Sequence, residues 1–253
     1  MKTWAYVLVL CLALVGCGAK GTSRGGSSNM SAKEVDLRLT LVESHINNNQ
    51  YQLALQELLK VDSAADHLPR FHYDSGMIFR GLQEFEKARE GFARAVEINE
   101  EYGEAWNNLG TIEEALGREK EAEAAYRRAL GILTYVTPEF PAYNLGALLL
   151  RQGRVQEAEA FARKALRNWR FMPAYELLAD IFTAQNRLDD AEAVLKSGLE
   201  ADMDSPAIML ALAEHQMRTG KTHEAGELFG RIVKQYPDSG EAKVARDYLE
   251  FLQ

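Results

Sequence analysis

The chain has 253 residues, 47% apolar and 26% charged, with 37 Asp and Glu against 29 Lys and Arg for a net charge of −8. That composition supports a sizeable core, and an acidic chain without a basic cluster excludes nucleic acid as a partner, because phosphate binding depends on Lys and Arg. Both cysteines, Cys11 and Cys17, fall in the first 17 residues, so no disulfide framework is available to the rest of the chain.

Residues 1–16 read as a targeting segment. Lys2 supplies the positive start, and the apolar run 5–15 (AYVLVLCLALV) is too short for a comfortable membrane span. The run ends Leu14-Val15-Gly16-Cys17, which resembles a bacterial lipobox. That resemblance implies a diacylglycerol on the Cys17 thiol, cleavage before Cys17 and acylation of the new amino group. Several acyl chains anchor far more firmly than one. Gly18 rather than Asp follows the cysteine, which in bacteria with the usual sorting rule implies the outer membrane. Residues 17–31 are then the lipidated cysteine and a Gly/Ser-rich tether without periodicity, spanning roughly 20 Å root-mean-square.

Residues 32–253 are organised by a repeat, clearest in 103–130 (GEAWNNLGTIEEALGREKEAEAAYRRAL). Trp106, Leu109, Gly110 and Glu113 fall at helical spacing, Gly117 breaks the run, and Ala122, Tyr126 and Ala129 line one face of a second helix. Neither helix can bury its apolar face alone. Gly110 and Ala122 are small where the two must approach closely. This pattern identifies the stretch as a tetratricopeptide repeat, whose period is about 34 residues. The small residue of the second helix recurs as Ala54, Ala88, Ala122, Ala158, Ala191 and Ala225, at spacings of 34, 34, 36, 33 and 34. That of the first helix recurs as Gly76, Gly110, Gly146, Ala179 and Ala213, with Val42 departing in the first repeat. Asn49, Gly117, Gly153, Asn186 and Gly220 mark turns within repeats, and Pro69, Pro173, Pro206 and Pro237 lie between repeats.

The expected fold is all-α: a right-handed superhelical solenoid of six repeats, about 35–68, 69–102, 103–138, 139–171, 172–205 and 206–238. A capping helix follows at 239–253, wet on the side of Glu241, Lys243, Arg246, Asp247 and Glu250. The spacing of 36 arises in 132–141 (ILTYVTPEFP), which opens a longer connection. It either bends the superhelix, presents Tyr135 and Phe140 to a partner, or is a tolerated surface loop.

Little in the chain suggests catalysis. The five histidines lack metal-ligand spacing, and His223-Glu224 begins an H-E-x-x-H whose last position is Glu227. No G-x-x-x-x-G-K-[ST] loop and no G-x-S-x-G elbow occurs. The expectation is a non-enzyme with no cofactor or metal, no small-molecule substrate, and only the covalent lipid on Cys17.

The first helices of such repeats line a concave groove. The register places Leu39, Glu43, Tyr73, Met77, Asn108, Thr111, Tyr143 and Asn144 there as the candidate partner-binding residues, with Glu176, Asp180 and Glu214 further along. Asn108 and Asn144 hold the same slot in successive repeats, where paired amides could grip an extended backbone; Asn is also simply frequent at that slot. The basic residues that clamp C-terminal carboxylates in chaperone-binding repeats are absent, with Thr40 and Asp74 standing in such places.

Lipobox, short tether, six repeats and capping helix together resemble the type IV pilus pilotins (PilF, PilW and Tgl types), outer-membrane lipoproteins that help a secretin assemble. The T-P-E-F-P-A-Y-N-L-G junction adds to the likeness. The resemblance implies a secretin subunit as partner, a periplasm-facing lipid-anchored location and a non-catalytic mechanism. The alternatives are a repeat lipoprotein that recruits peptidoglycan hydrolases or proteases and, from another class, an enzyme subunit.

Overall fold

The computed structural model describes residues 30–252, so the lipobox with Cys17 and most of the tether lie outside the described residues. Within that range the chain forms fourteen helices and no strand. They are α1 (Ala32–Asn47), α2 (Tyr51–Leu58), α3 (Asp62–Ala65), α4 (Pro69–Gly81), α5 (Phe85–Ile98), α6 (Gly103–Ala115) and α7 (Glu119–Gly131). Then follow α8 (Glu139–Arg151), α9 (Val155–Ala165), α10 (Pro173–Ala184), α11 (Leu188–Ala201), α12 (Pro206–Arg218), α13 (Thr222–Gln235) and α14 (Gly240–Phe251). Six antiparallel pairs, the extra turn α3 and the terminal α14 make an all-α tetratricopeptide superhelix.

The pairs close because small residues meet large ones across them. A Cβ added at Gly110 would lie 2.6 Å from the Tyr126 ring, and one at Gly76 would lie 2.7 Å from Phe92. All six second-helix alanines are fully buried. The turn inside each pair carries one residue with left-handed backbone: Asn49, Gln83, Gly117, Gly153, Asn186 and Gly220. In each, the next residue's N–H donates back to a carbonyl of the first helix, as Arg118 does to Glu113 at 2.8 Å and Glu84 to Phe79 at 2.9 Å. Gln83 escapes the residue-type signal, because glutamine carries no preference for that conformation.

The first repeat departs from expectation. Instead of one long second helix, α2 ends at Leu58 and three-residue-spaced bonds, Lys60 N–H to Glu57 and Val61 N–H to Leu58, tighten its end. The chain restarts as α3, which sets Val61 and Ala65 into the core with no exposed surface. At the other end, Ser239 caps α14 by accepting from the Ala242 N–H, and Tyr248 stacks on Phe229 at 4.7 Å. Lys243, Arg246, Asp247 and Glu250 are exposed as a cap requires, whereas Glu241 is half-buried.

Successive repeats are clasped by ion pairs of one recurring type. The residue just before a second helix reaches back to the second helix of the repeat before: Arg118 to Glu86 at 2.7 Å, Arg154 to Glu123 at 2.6 Å, Arg187 to Glu159 at 3.2 Å, and Lys221 to Glu192. The first three are surface pairs of small individual worth. Glu192 is nearly buried and held by Lys221 and Lys196, which bring its carboxyl down to about 2. No helix among the described residues is long and apolar enough to cross a membrane.

Candidate functional site

The concave face is built by α1, α4, α6, α8, α10 and α12, and its candidate residues divide into those that face the groove and those the fold has used. Leu39 belongs to the second group. It is 1% exposed, on the α1 face shared with Val35, Val42 and Ile46 that packs against α2 and α4. The register itself holds, Val42 being fully buried in the slot of Gly76 and Gly110, but the extra turn α3 and the start of α4 cover Leu39 with Ala64, Leu68 and Pro69. The leucines α1 exposes are Leu37 and Leu41, at 69% and 43%.

Glu43 is half-buried and accepts from Arg70 Nε at 2.6 Å. The same guanidinium reaches Asp36 at 2.8 Å and Thr40 at 3.2 Å, so an arginine does stand near Thr40, with its charge already matched. Beneath it lies Asp74, 1% exposed, one carboxylate oxygen of which has no partner among the described residues. Burial pushes its carboxyl up to about 8, the Glu43 charge pushes the same way, and Arg70 opposes both.

The middle of the groove is aromatic. The half-buried Tyr73 ring packs 5.0 Å from Tyr102 and 5.6 Å from Phe92, and burial raises the phenol of both tyrosines. Met77 is half-buried between the first two core clusters. Further along, Tyr143 meets Phe171 edge-on at 5.6 Å, and Phe171 meets Phe140 at 5.1 Å. Tyr135 is 9% exposed, seated where Gly103 leaves room for its ring, and is not presented to a partner. Phe140 is 45% exposed, one side of its ring resting on Phe171.

The two amides already hold neighbours within the scaffold, Asn108 more fully than Asn144. Asn108 Nδ2 donates to the Glu104 carbonyl at 2.8 Å and to Tyr73 Oη at 3.4 Å, and its Oδ1 accepts from Arg80. Asn144 Nδ2 instead donates to Asn107 Oδ1 at 3.1 Å. Both amides thus bond to a side chain of the repeat before. Thr111 is exposed, its hydroxyl donating to the Asn107 carbonyl at 3.1 Å.

Charge changes along the groove. Toward the C-terminal end, burial raises the carboxyls of Glu176 and Asp180, and each feels a neighbour: Asp180 and Glu241 for Glu176, Arg218 for Asp180. Tyr248 Oη donates to Glu214 at 3.4 Å. The groove thus runs from a charge-matched end at Arg70, through an aromatic centre, to an acidic end. Arg80, Tyr102 and Phe171 were not among the expected residues. Arg80 carried no signal, whereas Tyr102 and Phe171 each sit just before a first helix, where ring size alone could have marked them.

Comparisons with known proteins follow this geometry. Tetratricopeptide-repeat family models match residues 182–246 with one model and 73–135 and 142–173 with another. An uncharacterised protein of Methanocaldococcus jannaschii is 33% identical over 67 residues, 26% of this chain and 78% of that one. Among solved structures, PilW, described as a widely conserved type IV pilus biogenesis factor, superposes with a TM-score of 0.73 at 22% identity, covering 85% of this chain and 99% of its own. Pseudomonas aeruginosa PilF gives 0.70 at 18% identity, covering 86% and 96%. YrrB, a tetratricopeptide protein with an unusual peptide-binding site, gives 0.54 at 17%, covering 75% and 97%. The models together span more than half of the chain and the superpositions cover most of it: the chain belongs to the tetratricopeptide-repeat proteins, protein-interaction scaffolds, and its fold resembles that of the pilotin-type members.

Proposed function

We propose that this protein is a non-catalytic outer-membrane lipoprotein, anchored through lipid on Cys17 and facing the periplasm. Its concave groove holds a segment of a secretin subunit during assembly of a type IV pilus. The observation that carries the reading is the extent of the fold match: nearly the whole of PilW and of PilF is covered by this one chain, with no further domain in the match to explain. The groove supports it chemically. Exposed Thr111 and Phe140 and half-buried Tyr73 and Tyr143 offer a partly apolar surface to an amphipathic helix or strand.

The test is capture of the intact protein from its native membrane, alongside Cys17→Ser. A secretin subunit should co-purify with the wild type. The Cys17→Ser protein should keep a helical circular dichroism spectrum yet leave the outer-membrane fraction, because every repeat lies beyond residue 31. Capture of a peptidoglycan hydrolase or protease without secretin would replace the pilotin reading by the recruiting-scaffold one, and a Cys17→Ser protein that stayed in the outer membrane would remove the lipid anchor.

A further inference from the structure

In an antiparallel repeat every connection between repeats lies on one edge of the solenoid and every turn within a repeat on the other. Two consecutive connections, residues 132–138 between α7 and α8 and residues 166–172 between α9 and α10, differ from their neighbours. The first (ILTYVTP) carries no charge and the second (LRNWRFM) carries two arginines and no acid. The flanking connections, 99–102 (NEEY) and 202–205 (DMDS), are acidic. In the first, Tyr135 is drawn inward against Gly103, which leaves Leu133 101% and Val136 79% exposed. In the second, Trp169 is 52% exposed, with Tyr175 Oη donating to its backbone carbonyl at 3.1 Å and the Arg170 guanidinium 4.8 Å over its ring. The second connection is tied to the first residue of α8, just past the first connection, by Asn168 Nδ2 donating to Glu139 Oε1 at 2.8 Å. The described chain begins on this same edge, where Met30 shares an apolar cleft with His67, Leu68 and Pro69 of the first inter-repeat connection.

We propose that these two connections form a docking surface for the lipid bilayer, by which the tethered solenoid rests one edge on the membrane instead of tumbling at the end of its tether. The inference rests on the reading of Cys17 as a lipid anchor. An exposed tryptophan beside arginines is chemistry suited to the headgroup region, where an amphipathic ring and a guanidinium each find both an apolar and a polar neighbour. Leu133 and Val136 supply apolar contact, and Arg167 and Arg170 attract anionic headgroups that the acidic flanking connections would repel. The anchor makes the encounter intramolecular, so a surface too small to bind a bilayer from solution suffices once the lipid holds it there.

The test uses the full lipid-bearing protein reconstituted in vesicles of phosphatidylethanolamine and phosphatidylglycerol with brominated acyl chains. The difference between wild type and Trp169→Phe isolates the Trp169 fluorescence. That signal should be blue-shifted and quenched by the bromolipid, and Leu133→Asp with Val136→Asp should remove most of the quenching while the protein still floats with the vesicles. Both loop side chains are exposed, so circular dichroism should be unchanged. Flotation with an unquenched Trp169, or quenching that survives the double substitution, overturns the docking surface and assigns the patch to a protein partner. A protein without acyl mass on Cys17 that fails to float overturns the anchor and the docking together, and flotation separates that result from the others.

Discussion

Gly110 and Gly146 hold the same slot of successive repeats, yet alanine should affect them differently. In a helix interior Gly→Ala is worth about 1 kcal/mol in favour of alanine. At Gly110 the new Cβ would fall 2.6 and 2.7 Å from two ring carbons of Tyr126, a side chain 1% exposed whose hydroxyl donates to Glu114 at 3.2 Å. Ring atoms held at both ends do not yield as a methyl does, so the pair must spread, at about 1–3 kcal/mol for overpacking. The sixth repeat, where Ala213 and Phe229 share one cluster, shows that such spreading is tolerable and places the cost below the top of that range. The net expectation for Gly110→Ala is a loss of roughly 1–2 kcal/mol. At Gly146 the aromatic slot holds Ala162, and the new Cβ would meet a Leu177 methyl at 3.1 Å and backbone atoms of Ala162 and Ala158 at 3.3 and 3.4 Å, contacts that shifts of a few tenths of an ångström relieve. Gly146→Ala should therefore fall within roughly 0.5 kcal/mol of wild type. Urea unfolding followed by circular dichroism measures both, and Tyr126→Leu in the Gly110→Ala background should show a favourable coupling of about 1 kcal/mol. Equal effects at the two glycines, or stabilisation by Gly110→Ala, would refute the argument that the aromatic partner sets the cost.

Gln83→Gly should raise stability by about 1 kcal/mol, because it relieves the left-handed backbone at an exposed turn; thermal unfolding reads it. Asp74 has a folded carboxyl raised to about 8 from an ordinary 3.8, so the native state holds its proton where the unfolded chain has lost it, and stability falls as pH rises between those values. Asp74→Asn should thus stabilise by about 2 kcal/mol at pH 8 and have little effect near pH 4, in urea titrations at each pH; a gap that widens toward acid would contradict the burial argument. Thr111→Arg, exposed on the concave α6, should abolish capture of the partner without lowering the melting temperature, whereas Arg128→Ala on the convex side should leave capture intact. Tyr73→Ala is a poor probe of binding, since its contacts with Phe92 and Tyr102 make it part of the core.

Identical demands repeated every 34 residues or so made the solenoid legible before any coordinates. A small residue at Gly110 and Ala122, a large one at Tyr126 and a turn at Gly117 are local requirements, and six copies in register leave one architecture that satisfies them. Where a repeat carries an irregularity or lacks its marker residue, that logic fails. Leu39 is buried by α3 and the start of α4, an irregularity that no repeat position encodes, and the turn at Gln83 carries no residue signal because the helices on either side impose its backbone. The groove was legible only as a list of positions. Whether Asn108 and Asn144 face a ligand or a neighbour depends on Arg80, Tyr73 and Asn107 arriving from other repeats, and whether Tyr135 points out or in depends on the space left at Gly103. The sequence by itself determined the helices and their order, because those follow from spacing along the chain. The tertiary structure alone decided which polar groups are already satisfied and which side chains remain free, because hydrogen bonding and burial are settled between residues about 30 positions apart.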